Sequence, residues 1–233
     1  MTHSQGDRYL LPVNKPYHMN KVLIIIICEA IAAGVCILDR SLFPYDASES
    51  NHTGLQKGAR ILIVTAEILF IGLVAFFASD KASSPVSLFE LMFTNAVLLR
   101  AAQIDAVTKT IPNRLAIYLI AVRTACIAVI FLTSGEGLTE LAGSVIGIAV
   151  IGASLILMGK ITKNGLGAGD IKLLAALGFM CGLSVAVYTL TFALAVCVVI
   201  STILVIIKII TWKDHLPFGP FIWMGFVLMA VLI

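Results

Sequence analysis

The sequence predicts an all-α membrane protein with about eight transmembrane helices. Of its 233 residues, 60% are hydrophobic and only 12% are charged, whereas a typical soluble chain carries about 25% charged residues. Most of the hydrophobic residues lie in runs whose length suits a bilayer core, which takes about 20 residues of helix. This small number of charged residues cannot cover a water-facing surface. We therefore expect a multi-pass protein with the lipid bilayer as part of its solvent.

Polar breaks divide the apolar sequence into eight predicted spans. They are residues 22–38, 61–78, 88–104, 115–132, 138–158, 171–182, 185–210 and 218–233. Residues 1–21 are polar and read as a tail. Residues 171–210 are too long for one crossing, and Gly182 lies in the only plausible turn within them. Pro112 is placed in the first turn of the fourth span, where proline is tolerated.

Lysine and arginine indicate how the spans are oriented. Positive residues flank the third, fifth and seventh connections: Arg100, Lys109, Arg114, Lys160, Lys163, Lys172, Lys208 and Lys213. The positive-inside rule puts these connections in the cytoplasm and both termini outside, although the basic amino-terminal tail disagrees. This orientation places Asp105 and Asp170 at the same, cytoplasmic, membrane edge.

The sequence lacks the characteristic residues of several classes of protein. The net charge of +3 is spread among loops, so nothing indicates a nucleic-acid partner, which needs a clustered basic face. The four histidines form no His-Glu-x-x-His motif, which disfavours a zinc protease. The five cysteines form no Cys-x-x-Cys pair and are expected to be packing residues: Cys28, Cys36, Cys126, Cys181 and Cys197.

The stretch NGLGAGDIK at residues 164–172 is predicted to carry the chemistry of the protein. It sets Asp170 where a membrane helix begins, and its glycines allow a close backbone approach beside the acid. A carboxylate within a bilayer is costly, roughly 2.5 to 3.5 kcal/mol at a helix centre and less near an end. The alternative is a loop with a helix-capping aspartate, which would use the same residues.

Two carboxylates at one membrane edge suggest an aspartic peptidase. Carboxylates within hydrogen-bond reach share one proton, so one can act as base and the other as acid. Such a pair activates water against a peptide bond without a metal or other cofactor. A small transporter or proton-coupled channel, in which Asp105 and Asp170 bind ions, is the alternative. A noncatalytic assembly scaffold is a third possibility.

Three motifs carry a resemblance to a known family. DAVTKTIPN at residues 105–113, GAGDIKL at 167–173 and LPFGPF at 216–221 resemble motifs of the type IV prepilin peptidases, membrane aspartyl proteases of the Gly-x-Gly-Asp type. The resemblance implies that Asp105 and Asp170 are catalytic. The motif residues expected near the substrate are Lys109, Pro112, Asn113, Gly167, Gly169, Lys172, Pro217 and Gly219.

The resemblance also implies a substrate and a domain division. The substrate would be a prepilin or pseudopilin precursor, cut on the cytoplasmic side after a short basic leader that ends in glycine. The similarity covers about residues 91–233, a six-helix peptidase domain. Residues 1–90 would form a separate part with two spans that lacks the family's paired Cys-x-x-Cys motifs, so methylation of the product is not implied.

Further charged residues lie within the predicted spans or near their ends. Arg123 is expected to pair with Glu29 or Glu67 across the bundle, because isolated charges there are expensive. Glu90 lies near a span end and is expected to reach water. Lys109 and Lys172 lie near the two acids and could orient substrate, although a role in fixing topology is favoured.

Overall fold

The computed structural model describes residues 34, 84–135, 137–161, 167–208 and 216–233. These ranges contain six helices: α1 (Pro85–Thr108), α2 (Asn113–Ser134), α3 (Gly137–Ile161), α4 (Ala168–Cys181), α5 (Leu183–Ile206) and α6 (Gly219–Leu232). No strand occurs within the described ranges, so the all-α prediction is confirmed for them. The predicted spans at residues 22–38 and 61–78 lie outside the described residues, and the number of eight stays a prediction.

Four of these helices are long and apolar enough to cross a membrane: Pro85–Thr108, Asn113–Thr133, Gly137–Ile161 and Leu183–Ile206. They fit the predicted multi-pass membrane protein. The other two, α4 and α6, have 14 residues each, about 21 Å of helix at 1.5 Å per residue. A hydrocarbon core is about 30 Å thick, so α4 and α6 are shorter than a full crossing. Gly167 of the predicted motif precedes α4, and α6 begins at Gly219.

Local sequence sets both ends of α1. Ser84 and Ser87 form a capping box, in which each side chain accepts a hydrogen bond from the other residue's backbone N–H, and Pro85 occupies the first turn. The helix ends at Lys109, whose φ of 54° is left-handed and whose N–H donates to the carbonyl of Asp105 at 2.8 Å. Asp105 therefore lies in the last turn of α1.

Glycines let the helices pack at close range. A Cβ added at Gly147 of α3 would lie 2.0 Å from the carbonyl oxygen of Gly178 in α4, and one at Gly225 of α6 would lie 2.5 Å from that of Thr189 in α5. Small residues allow such backbone approaches in membrane bundles. The break predicted at Gly182 is confirmed, since α4 ends and α5 begins there with a φ of 88° that favours glycine.

The helix that carries Asp105 lies in the middle of the bundle. Most of α1 is buried, and it packs against α2, α4 and α6. In contrast, α3 and α5 expose apolar side chains along much of their length, among them Val150, Leu157, Val198 and Ile203. Exposed apolar residues suit a surface that faces lipid.

Arg123 lies at the centre of a buried ionic cluster that joins α1, α2 and α3. Its guanidinium pairs with Glu90 and with Glu140, the latter at 2.8 Å, and its Nε donates to Ser144 Oγ at 3.0 Å. Glu90 is fully buried, so the prediction that it reaches water is wrong. The predicted partners Glu29 and Glu67 lie outside the described residues.

Candidate active site

Asp105 is held by the first residue of α6. Its carboxyl is buried, with 5% of the residue exposed, and its Oδ2 accepts a hydrogen bond from the backbone N–H of Gly219 at 2.7 Å. A Cβ at Gly219 would lie 2.8 Å from the Cβ of Asp105, so a side chain there would separate the two segments. The carboxyl of Asp105 thus lies at the amino terminus of α6, the end of a helix that favours negative charge.

Asp170 is the third residue of α4 and is half-buried. Its carboxyl receives a hydrogen bond from the backbone N–H of Gly167 at the helix cap, as the third residue does in a capping box. A Cβ at Gly167 would lie 2.7 Å from Oδ2 of Asp170. The helix-capping interpretation therefore describes part of this carboxyl's contacts. Its Oδ1 is buried, and no group among the described residues forms a hydrogen bond with it.

The charge of Asp105 acts on the carboxyl of Asp170. Asp170 lies in the first turn of α4, ahead of the apolar stretch that begins at Ile171. Burial is the main cause that raises the pKa of Asp170 from 3.8 to about 6, and the charge of Asp105 raises it further, against the Gly167 hydrogen bond. Like charges act in this way only at short range. Both effects favour the protonated form of Asp170.

The loop between α1 and α2 links the segments that carry the acids. Thr108 Oγ1 donates to the carbonyl of Ile104 at 2.8 Å and accepts from the backbone N–H of Thr110 at 3.3 Å, which closes the turn after α1. Ile111 then packs against the start of α4. A Cβ at Gly169 would lie 3.1 Å from the Cβ of Ile111 and 3.3 Å from its carbonyl oxygen.

The remaining motif residues lie around these segments. Lys109 is exposed at the end of α1, and Pro112 precedes α2 without capping it through a side chain. Asn113 is the first residue of α2, and its Oδ1 accepts a hydrogen bond from Lys172 Nζ at 3.1 Å. Pro217 is half-buried just before α6. The structure thus brings three motifs that are distant in sequence to neighbouring helix ends.

A family model described as the type IV leader peptidase family matches residues 92–233. The match covers well over half of the chain and includes both aspartates. The chain belongs to the type IV leader peptidase family. Neither a curated protein nor a solved structure matches it in such comparisons. The resemblance noted from the sequence motifs is thereby confirmed at the level of the family.

One contact within this leader peptidase bundle was missed by sequence reasoning. Trp223 Nε1 of α6 donates to Asn95 Oδ1 of α1 at 3.1 Å, and Asn95 is fully buried. The contact holds α6 against α1, the same two helices that meet at Asp105 and Gly219. An asparagine inside an apolar span is a signal that could have found it, because amides in membrane helices hydrogen-bond to neighbouring helices.

Proposed function

We propose that this chain is a membrane aspartic endopeptidase that removes the short basic leader from prepilin or pseudopilin precursors. Membership of the type IV leader peptidase family supports a peptidase. The proposed catalytic pair is Asp105 and Asp170. No metal or cofactor takes part in the proposed reaction.

The observation that carries the proposal is the unequal environment of the two acids. Asp105 accepts a backbone N–H from α6, whereas burial and the charge of Asp105 raise the pKa of Asp170 to about 6. Paired carboxyls whose environments differ in this way divide into a base and an acid. We therefore assign Asp105 as the base and Asp170 as the acid.

In the proposed reaction, the carboxyl groups of Asp105 and Asp170 carry all the protons that are transferred. Asp105 takes a proton from water while the water oxygen bonds to the scissile carbonyl carbon, and Asp170 gives its proton to the carbonyl oxygen. The C–N bond of the tetrahedral intermediate then breaks as the leaving amine takes the proton from Asp105. The hydroxyl proton of the intermediate returns to Asp170, so both acids regain their starting states.

The proposal includes a location and a domain division. Cleavage takes place at the cytoplasmic face of the inner membrane, where the positive-inside rule puts the connections next to both acids. Residues 91–233 form the peptidase domain, in agreement with the family match at residues 92–233. Residues 1–90 carry no Cys-x-x-Cys motif, so we expect the new amino terminus to leave the enzyme unmethylated.

Co-expression with a prepilin-like precursor tests the proposal. Wild-type protein should convert the precursor to a faster-migrating product, and mass spectrometry should give the mass of an unmethylated chain cut after the leader. Asp105→Asn and Asp170→Asn should each abolish conversion, while Asp80→Asn, at a predicted span boundary, should not. Cleavage by Asp105→Asn or by Asp170→Asn would contradict the proposed mechanism. Ion transport without cleavage would favour the transporter alternative.

A further inference from the structure

Lys172 makes a contact that its place beside Asp170 does not predict. Its Nζ donates to Asn113 Oδ1 at 3.1 Å, and both residues are exposed. Residues two apart on an α-helix point about 200° away from each other, at 3.6 residues per turn. The ammonium group therefore points away from the Asp170 carboxyl and towards the first residue of α2.

The side chain of Asn113 is available for this contact because it does not cap its own helix. The residue that precedes α2 is Pro112, which makes no side-chain capping hydrogen bond. Asparagine near a helix start commonly satisfies the first backbone N–H groups. Here Asn113 uses its carbonyl oxygen to join α2 to α4 instead.

Another contact joins the same short segments. Two residues before Asn113, Ile111 packs on Gly169 so closely that a Cβ at Gly169 would lie 3.1 Å from the Cβ of Ile111. Gly169, which contacts Ile111, and Lys172, which contacts Asn113, lie on either side of Asp170 in the sequence of α4. Together they fix both the separation and the rotation of the first turn of α4 against the start of α2.

We propose that Lys172 is a positioning residue, which acts through Asn113 to hold the Asp170 carboxyl opposite Asp105. The inference rests on the proposed function, since it gives the two acids a common task. It differs from a role in topology, for which any cation at this membrane edge would serve. It also differs from substrate binding, in which Lys172 would act on the precursor directly and not through Asn113.

Cleavage kinetics of purified variants test this role. Lys172→Met and Asn113→Ala should each lower kcat roughly 10- to 100-fold with little change in KM, the size expected when a catalytic group is displaced by about 1 Å. The double variant should be no slower than either single variant, because both remove the same contact. Lys172→Arg and Asn113→Asp keep a donor and an acceptor, and should retain most of kcat.

Lys160→Met is the matched control. Lys160 is an exposed lysine in the last turn of α3 and is assigned by the positive-inside rule to the same membrane face. If Lys172 only fixed topology, Lys160→Met would lower kcat as much as Lys172→Met, and the inference would be wrong. A rise in KM at constant kcat would also overturn it, in favour of substrate binding.

Two further results distinguish failure of the positioning role from failure of membrane insertion and from failure of the proposed function. Asn113→Ala changes no charge, so it decides the question if Lys172→Met fails to insert in the membrane, and normal kcat in Asn113→Ala would reject the role. If wild-type protein cleaves the precursor and the aspartate variants do not, a normal kcat in Lys172→Met rejects only the positioning role. If wild-type protein does not cleave, the proposed function itself fails.

Discussion

The backbone N–H of Gly219 donates to Oδ2 of Asp105 at 2.7 Å, across 114 residues of sequence. This hydrogen bond places the amino terminus of α6 on one of the two proposed catalytic acids. Because a Cβ at Gly219 would lie 2.8 Å from the Cβ and 3.0 Å from Oδ2 of Asp105, the contact depends on the absence of a side chain. The start of α6 is thus part of the proposed active site.

Gly219→Ala should therefore inactivate the peptidase. The added methyl group pushes α6 away from Asp105, and we expect cleavage of a prepilin-like precursor to fall about 100-fold, the loss typical of a misplaced catalytic group. Gly159→Ala is the control, since its Cβ would meet only Cδ1 of Ile171 at 3.6 Å. Equal activity in the two variants would show that the α6 contact does not position Asp105.

The rate of cleavage should depend on the protonation of Asp170. Its pKa is raised to about 6, so the protonated form that serves as acid is present below pH 6 and is lost as the pH rises through this value. Above pH 6, we expect kcat/KM to fall about tenfold for each pH unit, as general acid catalysis requires. The measurement is the pH profile of cleavage, with folding checked at each pH.

Carbodiimide labelling offers a direct check on this titration, because the reagent modifies protonated carboxyls. In wild-type protein, labelling of Asp170 should decline as the pH rises through about 6. Asp105→Asn removes a negative charge that raises the pKa of Asp170, so the decline should move to lower pH. A titration of Asp170 that is the same in wild type and Asp105→Asn would mean that the two carboxyls are not coupled.

The sequence predicted the helices well because lipid imposes simple rules on them. An apolar run marked each described helix, four of them long enough to cross a membrane. The turn at Gly182 separated α4 from α5 as predicted. The motif around Asp170 also indicated a special helix start. These features are local, so composition and spacing along the chain suffice to find them.

Contacts between distant segments could not be predicted in the same way. The sequence predicts that Glu90 reaches water because its apolar span begins only two residues earlier at Leu88. The helix in fact starts at Pro85, and Glu90 is buried against Arg123 of α2. The donation from Gly219 to Asp105 depends on how α1 and α6 pack. Such pairings are set by the three-dimensional arrangement of helices, which periodicity does not encode.

The Arg123 cluster predicts a stability effect that is separate from catalysis. Glu90 and Asp105 lie on one helix, about 22 Å apart at 1.5 Å per residue. Arg123→Met would leave Glu90 buried without this cation, and breaking a buried ion pair costs about 3 to 5 kcal/mol. We expect this loss in the free energy of unfolding, measured by denaturation in mixed micelles.

A second substitution should recover part of that loss. In Arg123→Met with Glu90→Gln, the carboxylate is replaced by a neutral amide of similar shape, so less buried charge is left unpaired. The molecules that remain folded should still cleave precursor, because the cluster is far from Asp105. If the double variant is no more stable than the single one, the Glu90 pairing does not account for the cost.

The crossing of α3 and α4 should tolerate a methyl group at one glycine and not at another. At Gly147, a Cβ would lie 2.0 Å from the carbonyl oxygen of Gly178, a backbone atom that cannot rotate away, whereas at Gly152 it would meet only the Cβ of Ala175 at 3.6 Å. Overpacking of this kind costs about 1 to 3 kcal/mol. Alanine in place of a helical glycine otherwise gains about 0.5 to 1 kcal/mol.

We therefore expect opposite signs from two substitutions on the same helix. Gly147→Ala should lower the free energy of unfolding and also slow cleavage, because it pushes aside α4, which carries Asp170. Gly152→Ala should leave cleavage unchanged and raise stability slightly. Unfolding in mixed micelles and precursor cleavage measure the two effects on the same samples. If Gly147→Ala proved as stable and active as Gly152→Ala, the close crossing of α3 and α4 could not be what holds Asp170 in place.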